Sequence, residues 1–250
     1  MATILITGAS SGLGAEMARQ FADLGYDLAL CARRTERLGA LRAEILDAHP
    51  GRRVEIRALD VTDDDAVSAT FHAFAEDFGG IDRIIINAGL GKGAPLGTGK
   101  HHANRQTAMT NFVGALAQAD AAMEVFRAQK RGHLVFISSV SAERGFGKHM
   151  TTYAATKAGV ASLAEGLRSE MAATPGLDIT VSTIKPGYIR SEMNERVPNT
   201  PFMVDTVSGV RAMVAAIEKQ RASARVPAWP WEPLGLAMRH LPLGVVRRLF

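Results

Sequence analysis

Short apolar runs alternate with longer amphipathic segments along most of this 250-residue chain. The runs are nearly continuous in Ile, Val and Leu, which is typical of strands buried on both faces of a parallel sheet. They predict strands at Thr3–Thr7, Asp27–Ala32, Val54–Leu59, Arg83–Asn87, His133–Ser138 and Ile179–Ile184. The segments between them predict helices at Leu13–Leu24, Arg37–Ala48, Asp64–Phe78, Asn104–Ala128 and Tyr153–Ala173. We therefore expect an α/β fold with a doubly wound parallel sheet, helices on both faces, and one domain over 1–250.

The composition argues against several other classes of protein. Hydrophobic residues make up 47% and charged residues 22%, which suits a large globular core. The net charge of +4 comes from scattered basic residues, so we expect no nucleic-acid partner. No apolar run approaches ~18 residues, and the start of the chain lacks the pattern of a secretory signal. The one cysteine, Cys31, lies in an apolar run and predicts buried packing in the reducing cytoplasm; we expect no metal site.

A glycine-rich stretch, TGASSGLG, runs from Thr7 to Gly14 between the first predicted strand and the first predicted helix. Its glycines permit tight turning and a close approach of the backbone to a ligand. The N-terminus of the following helix presents free N–H groups and the positive end of the helix dipole. An ordinary strand-to-helix turn is the alternative reading. Three glycines at this junction favour a loop that binds the phosphates of a nucleotide.

Five motifs resemble, in order and spacing, those of the short-chain dehydrogenase/reductase family. They are the glycine loop with spacing G-x3-G-x-G, NAG at Asn87–Gly89, SSVS at Ser138–Ser141, the pair Tyr153 and Lys157, and KPG at Lys185–Gly187. The resemblance covers roughly Thr3–Arg196 and implies a Rossmann-type catalytic domain with a nicotinamide cofactor. It also implies a homodimer or homotetramer formed through the long helices. The C-terminus departs from the family pattern, because SARVPAWPWEP replaces the glycine-rich ending of many members.

The residues after the second predicted strand distinguish between NAD and NADP. An acidic side chain there binds the ribose 2′-hydroxyl of NAD, whereas arginine accommodates the 2′-phosphate of NADP. This chain has Arg33 and Arg34 and no carboxylate at these positions. A guanidinium forms charge-assisted, often bidentate hydrogen bonds with phosphate. We therefore predict NADP(H), with Ser10 or Ser11 adding a hydroxyl contact; the alternative for Arg34 is that it only begins a solvated helix.

The resemblance extends the cofactor site along the chain. It implies that Asp60, in the LDV segment, accepts a hydrogen bond from the adenine amino group. Ser191 stands where the family has the threonine that binds the nicotinamide carboxamide. The complete set of predicted cofactor-binding residues is Gly8, Ser10, Ser11, Gly12, Leu13, Gly14, Arg33, Arg34, Asp60, Val61, Asn87, Ala88, Gly89, Tyr153, Lys157, Pro186, Gly187, Ile189 and Ser191.

Tyr153 and Lys157 lie four residues apart on a predicted helix and therefore share one face of it. An ordinary tyrosine has a pKa of ~10, and a neighbouring ammonium favours the phenolate and lowers that pKa. By resemblance, Tyr153 is the general acid/base, Lys157 lowers its pKa and holds the ribose, and Ser139 orients the substrate carbonyl. Asn111 matches the family's helix asparagine, which links the lysine to solvent through a water. For Ser139 and Asn111, the alternatives are a turn-forming serine and a surface amide.

These features predict an NADP(H)-dependent oxidoreductase that interconverts an apolar ketone or aldehyde and its alcohol. Residues 190–205 would form a substrate lid, with Met193, Val197, Phe202 and Met203 as its apolar side chains. Two alternatives stay open, namely a non-catalytic NADP-sensing regulatory protein and an NAD-dependent epimerase or dehydratase. The Trp- and Pro-rich tail, 227–250, with basic residues at 239, 240, 247 and 248, would pack over a neighbouring subunit and its pocket or contact a membrane surface. Because Pro230, Pro233 and Pro242 interrupt it, we do not expect a regular core helix there.

Overall fold

The described strands form one sheet in which every neighbouring pair is parallel. The computed structural model describes residues 2–195 and 200–249, the last three by backbone alone. The strands are β1 (Thr3–Thr7), β2 (Asp27–Ala32), β3 (Val54–Ala58), β4 (Arg83–Ile86), β5 (Arg131–Ile137), β6 (Asp178–Pro186) and β7 (Ser223–Val226). Their order across the sheet is β3-β2-β1-β4-β5-β6-β7. The order reverses between β1 and β4, and ligands of doubly wound folds bind at the carboxyl ends beside such a reversal.

Helices cover both faces of this sheet. They are α1 (Gly12–Asp23), α2 (Thr35–Ala48), α3 (Asp64–Phe78), α4 (His101–Ala108), α5 (Gly114–Gln129), α6 (Thr151–Ala172), α7 (Thr206–Glu218), α8 (Ala228–His240) and α9 (Leu243–Leu249). Side chains from α1, α2 and α7 form one buried core with Ile4 and Ile6, and side chains from α3, α5 and α6 form the other with Leu5. Because both faces are buried, the strands need continuous apolar runs. The predicted α/β fold with a doubly wound sheet is confirmed.

The predicted long helix at Asn104–Ala128 consists of α4 and α5 joined by a π-helical turn, Met109–Val113. A π turn inserts one extra residue per turn into an α-helix and often occurs at functional sites. Asn111 lies at the middle of this turn and is buried. A helical periodicity argument indicates the helix but not this local widening.

The elements predicted from the sequence include neither α7 nor β7. Signals for α7 are present, because Asp205 caps its N-terminus by accepting a hydrogen bond from the Ser208 N–H. Its buried residues Val210, Met213, Val214 and Ile217 also follow helical spacing. β7 is a four-residue edge strand that contains Arg225, and so short and polar a run gives little strand signal.

The tail forms helices despite its prolines, so the expectation that they exclude a regular helix is wrong. The backbone of α8 is non-helical at Trp229 and helical from Pro230 onward. Pro233 lies inside the helix, and the carbonyl four residues before it, which its ring would otherwise meet, belongs to the non-helical Trp229. Pro242 lies between α8 and α9. Trp231 of α8 is fully buried, and its indole packs against Gly187, so this part of the tail packs on the segment that follows β6 in its own chain.

Candidate active site

A cleft of about 280 Å³ opens at the carboxyl ends of the central strands. Its walls come from the glycine loop, the β2–α2 turn, the ends of β3 to β6, the first turns of α6 and the segment after β6. The cleft brings together the predicted residues Gly8, Ser10, Ser11, Gly12, Leu13, Gly14, Arg33, Arg34, Asp60, Val61, Asn87, Ala88, Gly89, Ser139, Tyr153, Lys157, Pro186, Gly187, Ile189 and Ser191. Asn111 lies behind this wall rather than in it.

The glycine loop is fixed to the end of β4 by side-chain hydrogen bonds. The Thr7 hydroxyl accepts from the backbone N–H groups of Asn87 (3.0 Å) and Ala88 (3.1 Å). The Asn87 amide donates to the Thr7 carbonyl at 2.9 Å. A Cβ on Gly14 would lie 2.5 Å from the Gly8 carbonyl oxygen, and Gly8 itself has φ +66. The strand, loop and helix can therefore pack this closely only with glycine at these positions.

These features fit a dinucleotide. The loop leads directly into α1, whose first-turn N–H groups face the cleft in a region free of acidic first-turn side chains. On the opposite side, Ser191 comes close to Gly12, because a Cβ on that glycine would lie 3.4 Å from the serine Cβ. Gly89 leaves comparable room beside Lys157 Nζ. Because Gly12 and Gly89 carry no side chains, a passage stays open between the glycine loop and Lys157.

Arg34, rather than Arg33, is the arginine most closely tied to the glycine loop. It donates from Nε to Ser10 Oγ at 3.2 Å and from a terminal nitrogen to Ser11 Oγ at 2.5 Å. Its second terminal nitrogen lies 3.2 Å from a carboxylate oxygen of Glu192. The alternative that Arg34 only begins a solvated helix is therefore wrong. Arg33 is more exposed and lies 3.7 Å from the Asp60 carboxylate.

Asp60 is already hydrogen-bonded within its own turn. One carboxylate oxygen accepts from the backbone N–H of Thr62 at 3.1 Å and from its hydroxyl at 2.8 Å. Burial alone would raise the pKa of Asp60, but these hydrogen bonds and Arg33 outweigh it, and the net pKa is lowered. The carboxylate stays ionised and its second oxygen faces Arg33.

Tyr153 and Lys157 lie in the first turns of α6, with the ammonium 5.8 Å from the centre of the tyrosine ring. Lys157 Nζ donates to the Ile137 carbonyl at 2.9 Å, and burial lowers its pKa to about 8. Burial also raises the pKa of Tyr153 to about 12, with the nearby Tyr188 adding to the rise and a hydrogen bond with Ser139 opposing it. The Tyr153 side chain is half-buried and lines the cleft. In this structure, therefore, the pKa of Tyr153 is above its ordinary value, whereas the sequence predicts a lowered one.

Ser139 and Ser138 at the end of β5 have different partners. The Ser139 hydroxyl accepts from the Ser141 N–H at 3.1 Å and caps a short 3₁₀ turn, Val140–Glu143, as well as meeting Tyr153. The Ser138 hydroxyl donates to the Lys157 carbonyl at 2.7 Å and ties the strand to α6. Ser139 therefore both caps this turn and contacts Tyr153, so the two readings of Ser139 are compatible.

The buried amide of Asn111 holds the chain segment that follows β4. Its oxygen accepts from the Leu90 N–H at 2.6 Å, and its nitrogen donates to the Leu90 carbonyl at 2.9 Å and to Thr156 Oγ1 at 3.4 Å. It is 1% exposed, so the alternative of a surface amide is wrong. A Cβ on Gly89 would lie 3.4 Å from the Asn111 oxygen and 3.5 Å from Lys157 Nζ, which places the two side chains on either side of that glycine.

The predicted lid segment is described at both ends. Met193 lines the cleft and packs against Gly91, while Phe202 contacts Trp231 edge-to-face at 6.2 Å. The Thr200 hydroxyl donates to Met203 Sδ at 3.8 Å. Val197 lies outside the described residues, as do the side chains at 247 and 248. Tyr188 and Trp231 add an aromatic contact at 5.8 Å beside the same opening.

A comparison with family models matches residues 2–201 to the short chain dehydrogenases. The chain belongs to the short-chain dehydrogenase/reductase family. An uncharacterized oxidoreductase of Mycobacterium tuberculosis strain H37Rv is 51% identical over 245 residues, covering 98% of this chain and 96% of the relative. The protein is therefore an oxidoreductase of this family, and the family resemblance of the five motifs is confirmed.

Solved structures of this family share the same architecture. A short-chain dehydrogenase from Sphingobium yanoikuyae in complex with NADPH has a TM-score of 0.81 and 30% identity, covering 97% of each chain. The bulky-bulky ketone specific alcohol dehydrogenase from Comamonas testosteroni has a TM-score of 0.79 and 27% identity, covering 97% of this chain and 96% of that one. The short-chain dehydrogenase/reductase fold binds a nicotinamide cofactor, in agreement with the cleft described above.

Among helices at 2–195 and 200–249, none is both long and apolar enough to cross a membrane. The same part of the chain contains no cluster of three or more His, Cys, Asp or Glu arranged to hold a metal ion.

The structure adds site residues that the motifs of this short-chain dehydrogenase/reductase did not indicate. Arg37 bonds to Glu192, Trp231 backs Gly187, and Leu90 and Thr110 line the cleft. A signal existed for Arg37, because residues three apart at a helix start share a face, and Arg34 was already a candidate. No signal existed for Trp231, since its contact with residue 187 depends on how the tail folds back.

Proposed function

We propose that this short-chain dehydrogenase/reductase uses NADP(H) to interconvert an apolar ketone or aldehyde and its alcohol. The observation that carries this proposal is the meeting of Ser139, Tyr153 and Lys157 in one cleft with the glycine loop and Arg34. A cleft of this kind places a proton donor close to a loop that can bind the phosphates of a cofactor. We further propose that it belongs to one domain over 1–250.

The catalytic roles follow from the side chains. When bound, the cofactor supplies or accepts the hydride at the substrate carbon. Tyr153 donates a proton to the carbonyl oxygen, and its raised pKa keeps that proton available at neutral pH. Ser139, already at the tyrosine, orients the oxygen. Lys157 carries a charge below about pH 8 and favours the phenolate that remains, while Asn111 fixes the segment beside it.

The preference for NADP rests on the arginines. Arg34 reaches Ser10 and Ser11 at the base of the glycine loop, and Arg33 lies on the other side of the β2–α2 turn next to Asp60. Neither position carries the carboxylate that would bind a 2′-hydroxyl. The Sphingobium relative that contains NADPH supports the same choice.

Apolar side chains near the lid support the proposed substrate class. Met193 lines the cleft, and Tyr188, Phe202 and Trp231 form an aromatic group beside it. Apolar walls favour a substrate with apolar substituents on its carbonyl. The ketone-specific dehydrogenase from Comamonas testosteroni, of similar fold, supports a ketone.

We also propose a cytoplasmic homodimer or homotetramer. Large apolar side chains at the π turn and the start of α5 are partly exposed: Met109, Phe112, Val113 and Leu116. They lie on the helices through which the family resemblance implies assembly. Light scattering coupled to gel filtration measures the mass of the assembly directly, and a monomer at micromolar concentration would contradict this part of the proposal.

Tyr153→Phe tests the catalytic proposal. The change removes the hydroxyl that donates the proton and keeps the ring, so turnover of carbonyl compounds with NADPH should fall roughly 100- to 10,000-fold. NADPH affinity, measured by fluorescence titration, should change little. Tyr26→Phe, which removes a hydroxyl remote from the cleft, is the matched control. Undiminished turnover in Tyr153→Phe would reject the mechanism, and wild-type protein that binds NADPH but reduces no carbonyl would favour a sensing role.

A further inference from the structure

The first turn of the lid segment carries a carboxylate that bridges two arginines. Glu192 places one oxygen 3.2 Å from a terminal nitrogen of Arg34 and the other 2.5 Å from a terminal nitrogen of Arg37. The remaining donors of Arg34 point to Ser10 and Ser11 in the glycine loop. Hydrogen bonds from Arg37 and Arg34 lower the pKa of Glu192, so it is ionised at neutral pH. The guanidinium of Arg34, in the β2–α2 turn, therefore contacts both the lid and the glycine loop.

This bridge spans the cleft from one wall to the other. Glu192 follows β6, whereas Arg34 ends the turn between β2 and α2 and Arg37 lies in the first turn of α2. The start of the lid is itself held in place, because Asn194 accepts from the Ser191 N–H at 2.9 Å and donates to the Ile189 carbonyl at 2.7 Å. Movement of Glu192 away from the arginines therefore moves this whole turn.

A phosphate and the Glu192 carboxylate compete for the same donors. A phosphate monoester carries close to two negative charges at neutral pH, and guanidinium groups bind it in a bidentate manner. The arginines and Glu192 are each about half exposed, and ion pairs of this kind are weak. A 2′-phosphate can therefore displace the carboxylate. A ribose 2′-hydroxyl carries no charge and has no such advantage.

We propose that Glu192 is a specificity-determining residue that occupies the arginine pair used by a nucleotide 2′-phosphate and leaves it, together with the start of the lid, when that phosphate binds. The proposal rests on the proposed function, which assigns the 2′-phosphate to this turn. Glu192 thereby selectively opposes the binding of nucleotides with a 2′-phosphate. Binding of such a nucleotide thereby changes the position of the start of the lid.

Equilibrium binding by isothermal titration calorimetry tests this directly and needs no turnover. Glu192→Gln should tighten the binding of NADPH and of adenosine 2′,5′-bisphosphate about fivefold, since the competing charge is removed. The affinities for NADH and AMP should stay the same. Glu195→Gln is the matched control, because it removes the same charge from an exposed position in the same segment. This control should leave all four affinities unchanged.

Hydrogen exchange supplies a second readout. In the wild type, saturating adenosine 2′,5′-bisphosphate should speed exchange at residues 189–195, whereas AMP should not, and in Glu192→Gln the exchange should already be fast. If Glu192→Gln binds NADPH and NADH with unchanged or equally weakened affinity, the proposal is wrong while the proposed function stands. If the wild type binds neither NADPH nor NADH, the proposed function fails and this proposal fails with it.

Discussion

At the amino-terminal side of the sheet, buried polar side chains from β4, β5 and β6 form a closed hydrogen-bonded network. Arg83 donates to His133 Nδ1 at 2.9 Å, and His133 Nε2 lies 2.8 Å from Ser182 Oγ. Arg83 also pairs with Glu218 at 2.5 Å, and the Tyr26 hydroxyl donates to the same carboxylate. At the carboxyl ends of these strands, Ser139, Tyr153 and Lys157 instead face an open cleft.

The amino-side network and the cleft differ in the hydrogen-bond partners of their polar groups. In the amino-side network, protein side chains satisfy one another, so each contact contributes to the stability of the fold. In the cleft, Lys157 is buried with the Ile137 carbonyl as its hydrogen-bond acceptor, and burial lowers its pKa. A buried lysine of this kind lowers the stability of the fold but supplies a charge that catalysis can use. Variants at the two ends should therefore separate stability from activity.

The largest effect is expected from Lys157→Met. Turnover should fall roughly a hundredfold or more, because the charge that favours the Tyr153 phenolate is lost. Stability at pH 7 should not fall. The pKa of Lys157 is lowered from 10.5 to about 8, so burying its charge opposes folding by about 3 kcal/mol below pH 8, and this cost disappears as the pH rises to 10.5. Thermal unfolding and steady-state kinetics measure both quantities.

The control for that variant is Lys219→Met, an exposed lysine at the end of α7. It should change neither turnover nor the unfolding temperature. A Lys157→Met protein that loses stability together with activity would show that the cleft lysine is a structural residue, and the contrast between the two ends would disappear.

A smaller effect, on stability alone, is expected from Arg83→Met. The change removes the charged partner of Glu218 and one hydrogen-bond partner of His133, at a cost of about 3 kcal/mol. The cost is no larger because Glu218 retains some access to water and its contact with Tyr26. Urea unfolding measures this loss. Turnover per folded molecule should remain at the wild-type value. Arg131→Met, at an exposed pair with Asp82 near the same end, should stay within about 0.5 kcal/mol of the wild type.

The smallest effect is an acid-dependent loss of stability through His133. Burial, with the nearby Arg83 charge, lowers the pKa of His133 from 6.5 to about 3. The unfolded chain therefore binds a proton that the folded chain does not, and stability falls as the pH drops from 6.5 toward 3. Between pH 7 and pH 5 this amounts to about 2 kcal/mol. Unfolding of His133→Gln across this range should show a correspondingly weaker pH dependence; an unchanged dependence would assign the effect to other groups.

Much of the fold was predictable because local sequence patterns determine its elements. The bounds of β1, β2 and α3 agree with the prediction, since apolar runs and an Asp63 N-cap define them. The prediction failed where the detailed backbone conformation of a helix decides the outcome. Pro233 is expected to interrupt a helix, but the kink at Trp229, four residues before it, makes it compatible with α8. The π turn around Asn111 likewise cannot be distinguished from an α-helix by periodicity.

The candidate site shows the same division. The glycine loop, Ser139, Tyr153 and Lys157 were recognisable because each lies in a short motif with a fixed spacing. Arg37 and Trp231 were missed because their roles arise from partners more than 40 residues away, Glu192 and Gly187. The direction of the Tyr153 pKa was also missed, since burial depends on everything packed around the hydroxyl.

The sequence by itself therefore determined the alternation of strands and helices, the family and the residue types available at the cleft. Periodicity and short motifs encode these properties within a few residues of one another. Only the tertiary structure decided that Arg34 holds the glycine loop and Glu192 together, that Asn111 is buried, and that Trp231 covers Gly187. Such contacts join segments that are distant along the chain, and their strength depends on burial and distance, which no local pattern specifies.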